Sequence, residues 1–198
     1  NYKGKINYAL NYADVVTHSY HPVKPLTTGE GGAIFTKDKG LDSQIKKLRS
    51  HGMVKDENQM KEKGTWFYEM KSLGFNYRLS DIHAALGTSQ LKKLEEFTIK
   101  RNSIAGIYND SLKNKLNMTL PLASADVSHS YHLYPLLIDF EKENLNKVEF
   151  FFEMKKKGIN LQVHYIPIHL QPFYKERFNY KAGDFPIAED FYNKEVSL

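Results

Sequence analysis

Hydrophobic and polar residues recur with different periods along the chain, and the changes of period predict a mixed α/β fold. The β-branched stretch DVVTHSY (14–20) predicts a short buried strand, and GGAIFTK (31–37) predicts a second strand that opens on glycines. Pro22 and Pro25 lie between them and exclude regular structure there. Lys24 is therefore expected in a turn that joins two strands.

A helical pattern follows the second strand. The stretch GLDSQIKKLRSHG (40–52) places Ile45 and Leu48 on one helix face and offers Gly52 as the point where the helix ends. Residues 53–72 are polar and rich in lysine, with a single tryptophan, and they predict a mobile loop.

A long helix, or a pair of helices, is predicted after this loop. Ser80 is a good N-cap residue with Asp81 in the first turn, and apolar residues then recur at broken helical spacing. Few periodic signals occur in 113–128. We therefore expect one domain at 1–112 and a smaller α/β domain at 113–198.

The second half of the chain predicts a strand, a helix and another strand. YHLYPLLIDF (131–140) predicts the first strand, and NLNKVEFFFEMKKKG (144–158) predicts a helix. The helix residues expected to face inward are Leu145, Val148 and Phe152. INLQVHY (159–165) alternates and predicts the last strand. Its apolar face would hold Ile159, Leu161, Val163 and Tyr165.

Composition narrows the class of protein. The 198 residues are 41% hydrophobic, enough to bury a core, and no run approaches the length of a membrane helix. The absence of cysteine excludes disulfides and thiolate zinc sites and fits a reducing cytoplasm. The net charge of +5 comes from 28 basic and 23 acidic residues that are mixed along helical faces. That mixing does not favour nucleic-acid binding.

The stretch HSYHPVKPLTTGEGG (18–32) suggests three kinds of chemistry, of which two are weakly supported. A metal would need more than His18 and His21, which point to opposite faces of a strand and have no evident third ligand. His164 and His169 are separated by a proline, with no carboxylate between them. The TTGEGG sequence matches neither common phosphate-binding glycine motif. No metal site is expected.

The third possibility is covalent chemistry at Lys24. Two strands and two prolines could aim its side chain inward, and an amine withdrawn from water loses its proton more readily. A neutral amine can attack a carbonyl carbon and form a Schiff base. Ser19 could offer a hydroxyl to a phosphate group. A surface lysine in an ordinary turn is the alternative.

Five stretches, in order, resemble the DegT-type sugar aminotransferases. They are SYHPVKPLTTGEGGAIFT, LRSHGM, GFNYRLSDIHAALGTSQLKKL, GINLQVHYIPIHLQPFY and FPIAEDFYNKEVSL. Members of this family use pyridoxal 5'-phosphate and have the type I, aspartate-aminotransferase-like fold. The resemblance implies the C-terminal part of the large, cofactor-binding domain, with the cofactor-lysine hairpin and a long interdomain helix, followed by an incomplete small α/β domain.

The resemblance also assigns roles to individual residues. Lys24 matches the lysine that bonds to the cofactor and moves the proton, and it argues against the family's dehydratase branch, which has histidine there. Ser19 matches a ligand of the cofactor phosphate. Asn76 matches an asparagine that reaches into the neighbouring active site of a homodimer. The residues that match the sugar-nucleotide pocket are His164, Tyr165, Ile166 and Pro167.

Two stretches, SYHPVKPLTTGEGG and RSHGMVK, resemble the subfamily of pseudaminic-acid biosynthesis. This implies transfer of an amino group from glutamate to a UDP-linked 4-keto-6-deoxy-N-acetylhexosamine, for surface glycans, in the cytoplasm. The subfamily often has lysine where this chain has Ile166. Because isoleucine is uncharged, the lysine's contact with a phosphate of the substrate is not expected here.

The chain is expected to be truncated. The family's acid at the pyridine nitrogen and the residue stacked on the ring precede the cofactor lysine, and here only 23 residues do so, with no Asp in 1–13. A truncated, non-catalytic module that binds a sugar nucleotide or a partner is therefore the alternative function. A basic nucleic-acid binder is a third.

Overall fold

The computed structural model describes residues 2–5, 8–115 and 117–198. The chain divides into two compact units, one spanning 1–97 with 126–128 and the other spanning 98–125 with 129–198.

The first unit contains the predicted hairpin, formed by β1 (Val16–Ser19) and β2 (Gly32–Phe35). The prediction that the first strand is buried is wrong: Thr17, His18 and Ser19 are exposed, because the sheet consists of these two strands. The strands pair antiparallel, with Ser19 opposite Gly32. A Cβ atom on Gly32 would lie 2.7 Å from the carbonyl oxygen of His18, so glycine is needed where the two strands approach each other. Both strands are shorter than the sequence pattern predicts, and the turn between them is correspondingly longer.

Polar caps begin the helices of this unit. Ser80 accepts a hydrogen bond from the His83 N–H at 3.3 Å, which confirms it as the predicted N-cap. Asp38 caps the helix that begins at Lys39 in the same way, because its carboxylate accepts hydrogen bonds from the N–H groups of Gly40 and Leu41. The remaining elements of the unit are α1 (Lys39–Arg49), β3 (Met53–Val54), α2 (Glu57–Lys63), β4 (Glu69–Met70) and α3 (Asp81–Leu91).

The prediction of a loop over 53–72 is wrong. The segment holds the β3–β4 hairpin and α2, whose N-cap Asp56 accepts hydrogen bonds from two backbone N–H groups. Gly52 has a φ of 71°, and a side chain there would overlap the carbonyl of Ser72. This close approach holds the start of the segment 53–72 next to its end.

A pair of helices, rather than one long helix, follows Ser80. The chain turns at 92–93 between α3 and α4 (Leu94–Leu112), where the Lys93 N–H donates to the Gln90 carbonyl. The helix pair was one of the two outcomes that the sequence left open.

The second unit is a three-stranded antiparallel sheet with helices. The strand order is β5 (Met118–Thr119), β6 (Pro135–Ile138), β7 (Glu195–Ser197), so β6, the strand predicted within 131–140, lies at the centre. The helices are α4, α5 (Lys147–Lys156), α6 (Pro172–Phe178) and α7 (Pro186–Lys194). The buried apolar core of this unit consists of Ala105, Tyr134, Leu136, Ile138, Phe140, Leu161 and Val196.

The predicted inward face of α5 is wrong. The residues expected inside are exposed: Leu145, Val148 and Phe152. The side chains that pack against the core are instead Phe150, Phe151 and Met154. Three consecutive phenylalanines leave the phase of the apolar stripe ambiguous, and contact with the sheet selects the other face.

The strand predicted at 159–165 is also wrong. The segment makes only an isolated bridge, in which Gln162 and Ser197 exchange backbone hydrogen bonds of 3.2 and 2.8 Å. Leu161 is buried as predicted, whereas Ile159 and Tyr165 on the same expected face are exposed.

Among the described residues, none of the helices has both the length and the apolar character needed to cross a lipid bilayer.

Candidate active site

Lys24 lies in the turn between β1 and β2, and backbone hydrogen bonds close the ends of that turn. The Tyr20 N–H donates to the Gly31 carbonyl at 2.9 Å, and the Thr28 N–H donates to the Tyr20 carbonyl at 3.0 Å. Within the turn, the Lys24 N–H donates to the His21 carbonyl at 2.9 Å. The lysine therefore lies on a loop whose two ends are held together by backbone hydrogen bonds.

Thr28 seats this loop on α3. Its side chain is only 2% exposed, and its hydroxyl donates to the Glu30 carbonyl at 2.6 Å. A Cβ atom on Gly87 would lie 2.7 Å from Thr28 Cγ2, so the missing side chain of Gly87 makes room for the threonine methyl group. The loop and the helix are thus packed together through one buried side chain.

Replacing Thr28 with valine is expected to destabilise the protein by about 1–2 kcal/mol, because the Glu30 carbonyl loses its buried donor while the packing volume stays the same. Urea denaturation of both proteins would measure the loss. Thr36→Val is the matched control, since its hydroxyl donates to the Asp14 carbonyl and accepts from the Asp38 N–H, both at exposed sites. Its effect should stay within about 0.5 kcal/mol. Equal losses in the two variants would contradict the buried role of Thr28.

The two residues predicted to hold the cofactor belong to this one hairpin. The Lys24 side chain is half-buried. Ser19 is the last residue of β1, exposed, and its oxygen accepts a hydrogen bond of 3.4 Å from the His21 N–H, which leaves the hydroxyl proton to be donated. A primary amine and a hydroxyl on one anchored turn fit an aldehyde that also carries a phosphate.

Asn76 lies in the same unit, on the segment that runs beside the end of α1. It forms a backbone bridge with Ser50, and its neighbour Tyr77 donates to the Arg49 carbonyl at 2.9 Å. The Asn76 side chain is exposed and its Oδ1 accepts a hydrogen bond from Arg78 Nε at 3.1 Å. Its amide nitrogen therefore stays available for a further acceptor.

The predicted substrate residues form a continuous stretch of the second unit. The His164 N–H donates to Glu195 Oε2 at 2.8 Å, and His164 Nδ1 lies 2.8 Å from Ser197 Oγ. The rings of His164 and Tyr165 meet edge to face at 4.6 Å. Tyr165 and Ile166 are exposed, and Pro167 is buried. The stretch therefore pairs one fixed polar side chain with exposed apolar surface.

The sequence analysis missed Glu195 and Ser197. Both are buried, at 0% and 3% exposure, and the Ser197 hydroxyl donates to Glu195 Oε1 at 2.6 Å. A signal was present in EVSL (195–198), where a charged and a hydroxyl residue two apart flank an apolar residue. In a strand such residues share one face.

A second polar pair, His169 and Glu189, adjoins the stretch. His169 Nε2 lies 2.8 Å from Glu189 Oε1, which also accepts the Gly183 N–H at 2.8 Å. The hydrogen bond from His169, with help from the Gly183 N–H, lowers the pKa of Glu189 below its ordinary value of 4.5. The ring of His169 also lies against Phe185, at the edge of an apolar cavity of about 460 Å³.

This pair predicts an acid-dependent loss of stability. A lowered pKa in the folded state means that ionised Glu189 stabilises the protein above the unfolded value near 4.5, and that this contribution disappears as the pH falls through the lower folded value. Glu189→Gln should therefore be less stable than wild type at neutral pH and equally stable at strongly acidic pH. Denaturant unfolding measured across that range would test this, and a difference that does not change with pH would contradict it.

In the described ranges, 2–5, 8–115 and 117–198, no three His, Cys, Asp or Glu side chains come together as metal ligands would.

Comparisons with known proteins identify relatives of the whole chain. A protein of Campylobacter jejuni named UDP-4-amino-4,6-dideoxy-N-acetyl-beta-L-altrosamine transaminase is 42% identical over 200 residues, which cover 100% of this chain and 49% of the relative. The Helicobacter pylori aminotransferase PseC, described as involved in the biosynthesis of pseudoaminic acid, superimposes with a TM-score of 0.83 at 38% identity, over 94% of this chain and 48% of its own.

A further solved structure extends the match to every residue of the chain. The PMP-form of Spr1654 from Streptococcus pneumoniae, described as a putative sugar aminotransferase, has a TM-score of 0.87 at 28% identity, over 100% of this chain and 50% of its own. The chain thus spans about half the length of the relatives it matches. These neighbours confirm the expected type I fold.

The family model for DegT/DnrJ/EryC1/StrS aminotransferases matches residues 1–198, which is the whole chain. Together with the relatives, this match confirms the resemblance seen in the five ordered stretches. The chain belongs to the DegT/DnrJ/EryC1/StrS aminotransferase family.

Proposed function

We propose that the protein containing this chain is a pyridoxal-phosphate-dependent sugar aminotransferase. The observation that carries the proposal is the position of Lys24, a half-buried amine on a turn closed by backbone hydrogen bonds and seated on α3 through Thr28. Such anchoring holds one amine at one place, which a covalent bond to a cofactor requires. Membership of an aminotransferase family supports the same conclusion.

Lys24 would hold the cofactor through Nζ and, once released by the amino donor, would use the same nitrogen to take and return the proton of the donor's Cα. Pyridoxal phosphate, when bound, supplies an electron-withdrawing ring that stabilises the negative charge left when that proton is removed. The anchored loop keeps Nζ within reach of the proton during both transfers. We propose glutamate as the donor.

Ser19 and Asn76 would complete the binding of the cofactor. The Ser19 hydroxyl would donate to the phosphate, and its place on the same hairpin as Lys24 couples the two contacts. The exposed Asn76 would reach into the active site of a second copy, which makes a homodimer with shared sites part of the proposal.

The absence of cysteine fits a cytoplasmic setting.

We propose a UDP-linked 4-keto-6-deoxy-N-acetylhexosamine as the amino acceptor. The proposal is supported by the transaminase relative at 42% identity and by the likeness to PseC. His164 would hydrogen-bond to polar groups of the nucleotide sugar, while Tyr165, Ile166 and Pro167 would cover its apolar surface. Ile166 cannot contact a phosphate by charge, so the phosphates are expected to depend on other residues.

Borohydride reduction of the purified protein, followed by peptide mass spectrometry, tests the covalent link. We expect a reduced cofactor on Lys24. A separate, unreduced sample incubated with glutamate and the keto sugar should give an amino sugar, detected by mass spectrometry. Recovery of the cofactor on another lysine, or a protein that takes up no cofactor, would overturn the proposal. A labelled Lys24 with amination of another keto sugar would overturn only the assigned acceptor.

The second candidate is a non-catalytic module that binds a sugar nucleotide or a partner protein. The observation in its favour is the stretch from His164 to Pro167, which presents an imidazole held by Ser197 beside exposed apolar side chains and could bind a ligand without the cofactor. It predicts nucleotide-sugar binding by calorimetry without reducible cofactor on Lys24.

A further inference from the structure

Glu195, Ser197 and His164 form a chain of hydrogen bonds inside the second unit. Glu195 Oε2 accepts the His164 backbone N–H at 2.8 Å, and Glu195 Oε1 accepts the Ser197 hydroxyl at 2.6 Å. Ser197 Oγ lies 2.8 Å from His164 Nδ1. Glu195 and Ser197 are fully buried, so water does not compete for these bonds.

The polarity of this chain follows from its first member. An ionised carboxylate can only accept hydrogen bonds, so the Ser197 proton points towards Glu195. The Ser197 oxygen then has only lone pairs to offer His164, and Nδ1 must carry the proton that bridges them. Nε2 is left without a proton in the neutral ring. In the described part of the chain, no hydrogen-bond partner of Nε2 is found.

A lysine of the same unit interacts electrostatically with Glu195. Lys147 donates to the Tyr192 carbonyl at 2.6 Å. Burial lowers the pKa of Lys147, and the negative charge of Glu195 opposes that lowering. The charge of Glu195 therefore favours the protonated form of Lys147.

We propose that Glu195 and Ser197 are positioning residues that fix His164 in its Nδ1–H tautomer and so present Nε2 as a hydrogen-bond acceptor to a hydroxyl or amide N–H of the nucleotide sugar. The substrate half of this inference rests on the proposed function, while the tautomer half depends only on the second unit. Neither residue touches substrate: both act through the imidazole of His164.

Glu195→Gln is expected to invert the tautomer. The amide has one oxygen and one NH₂ group, and the oxygen must stay with the His164 backbone N–H, which needs an acceptor. The NH₂ group then faces Ser197 and donates to it, so the serine proton turns towards His164 Nδ1. His164 would become Nε2–H. Nitrogen-15 NMR of the imidazole in the full-length protein, at alkaline pH, distinguishes the two tautomers directly.

Ser197→Ala removes the connection without changing Glu195, and the Nδ1–H form should lose its dominance. Both variants should raise the KM for the nucleotide sugar roughly tenfold, because a donor on the substrate loses its acceptor. The rate of the first half-reaction with glutamate, followed by the cofactor spectrum, should stay unchanged. If Glu195 and Ser197 served only to stabilise the fold, their substitution would slow both half-reactions and would not convert His164 from the Nδ1–H to the Nε2–H tautomer.

The matched control is the other serine–histidine pair of the chain. Ser80 Oγ lies 2.8 Å from His83 Nδ1, and in the described part of the chain no carboxylate accepts its proton. Ser80→Ala should leave the His164 tautomer and the KM unchanged.

Three results would overturn the inference: an Nε2–H tautomer in wild type, an Nδ1–H tautomer that survives Glu195→Gln, or an unchanged KM in both variants. Failure of the proposed function is recognised separately, by the absence of cofactor on Lys24.

Discussion

Replacing Lys24 with arginine is expected to remove the covalent cofactor and to lower the transamination rate roughly 10³-fold or more. Arginine keeps the positive charge and most of the length, but its guanidinium does not lose a proton near neutral pH and cannot bond to the aldehyde carbon. Borohydride labelling with peptide mapping measures the first effect, and amino-sugar formation by mass spectrometry measures the second.

Lys46→Arg is the matched control for this variant. Lys46 lies on α1 of the same unit and forms an exposed i,i+4 ion pair with Asp42, at 2.7 Å, that arginine can also make. Its labelling and turnover should equal those of wild type. Persistent labelling of the Lys24→Arg protein at another lysine would show that the amine on the anchored turn is not the reactive one.

The second large effect is expected for Gly52→Ala, which should destabilise the first unit by at least about 3 kcal/mol. The added methyl group would overlap the Ser72 carbonyl, and that carbonyl belongs to backbone that cannot move alone. A Cβ atom on Gly74 would likewise overlap the Gly52 backbone nitrogen, so there is no space on that side into which the segment could shift. Differential scanning calorimetry of the wild-type and variant proteins would measure the change.

Gly158→Ala separates the overlap from the backbone conformation. Gly158 has a φ of 81°, close to the 71° of Gly52, but a Cβ atom there would meet nothing within 4 Å. Its cost should be about 1 kcal/mol, from the left-handed conformation alone. A Gly52→Ala protein that loses no more stability than this would show that the two backbone segments are not held together as closely as the structure indicates.

The features that could be predicted from the sequence are those that local chemistry decides. The Lys24 turn follows from two prolines between two β-branched stretches, and Ser80 caps α3 because its hydroxyl meets the N–H of a residue three positions later. β6 is a continuous apolar run that forms the centre of a sheet. Each of these depends on neighbours in sequence, so the pattern contains the necessary information.

The features that could not be predicted depend on distant contacts. The segment 53–72 looks like a loop because its helix is polar, and its place is fixed instead by backbone packing of Gly52 against Ser72. The alternating stretch 159–165 has the pattern of a strand, yet only Gln162 finds a partner for a bridge. Alternation shows that a strand is possible, but a strand also needs a run of backbone hydrogen bonds to its neighbour, and in this stretch only Gln162 exchanges such bonds with β7.

The candidate site divides in the same way. Lys24 and Ser19 were predicted as site residues because the motif that contains them is contiguous. The pair that supports His164 was not identified, because Glu195 and Ser197 lie more than thirty positions along the chain and meet it only through folding. Local motifs therefore suggest candidate reactive groups, while the side chains that contact such groups have to be found in three dimensions.

The anchoring of the lysine turn has a practical consequence. Val23 is 64% exposed and adjoins Lys24, while the ends of the turn are fixed by backbone hydrogen bonds that do not involve the Val23 side chain. The chain contains no cysteine. A thiol introduced by Val23→Cys would be unique in this chain. The rate at which a chromogenic reagent modifies it would measure how accessible the turn beside Lys24 is to solutes.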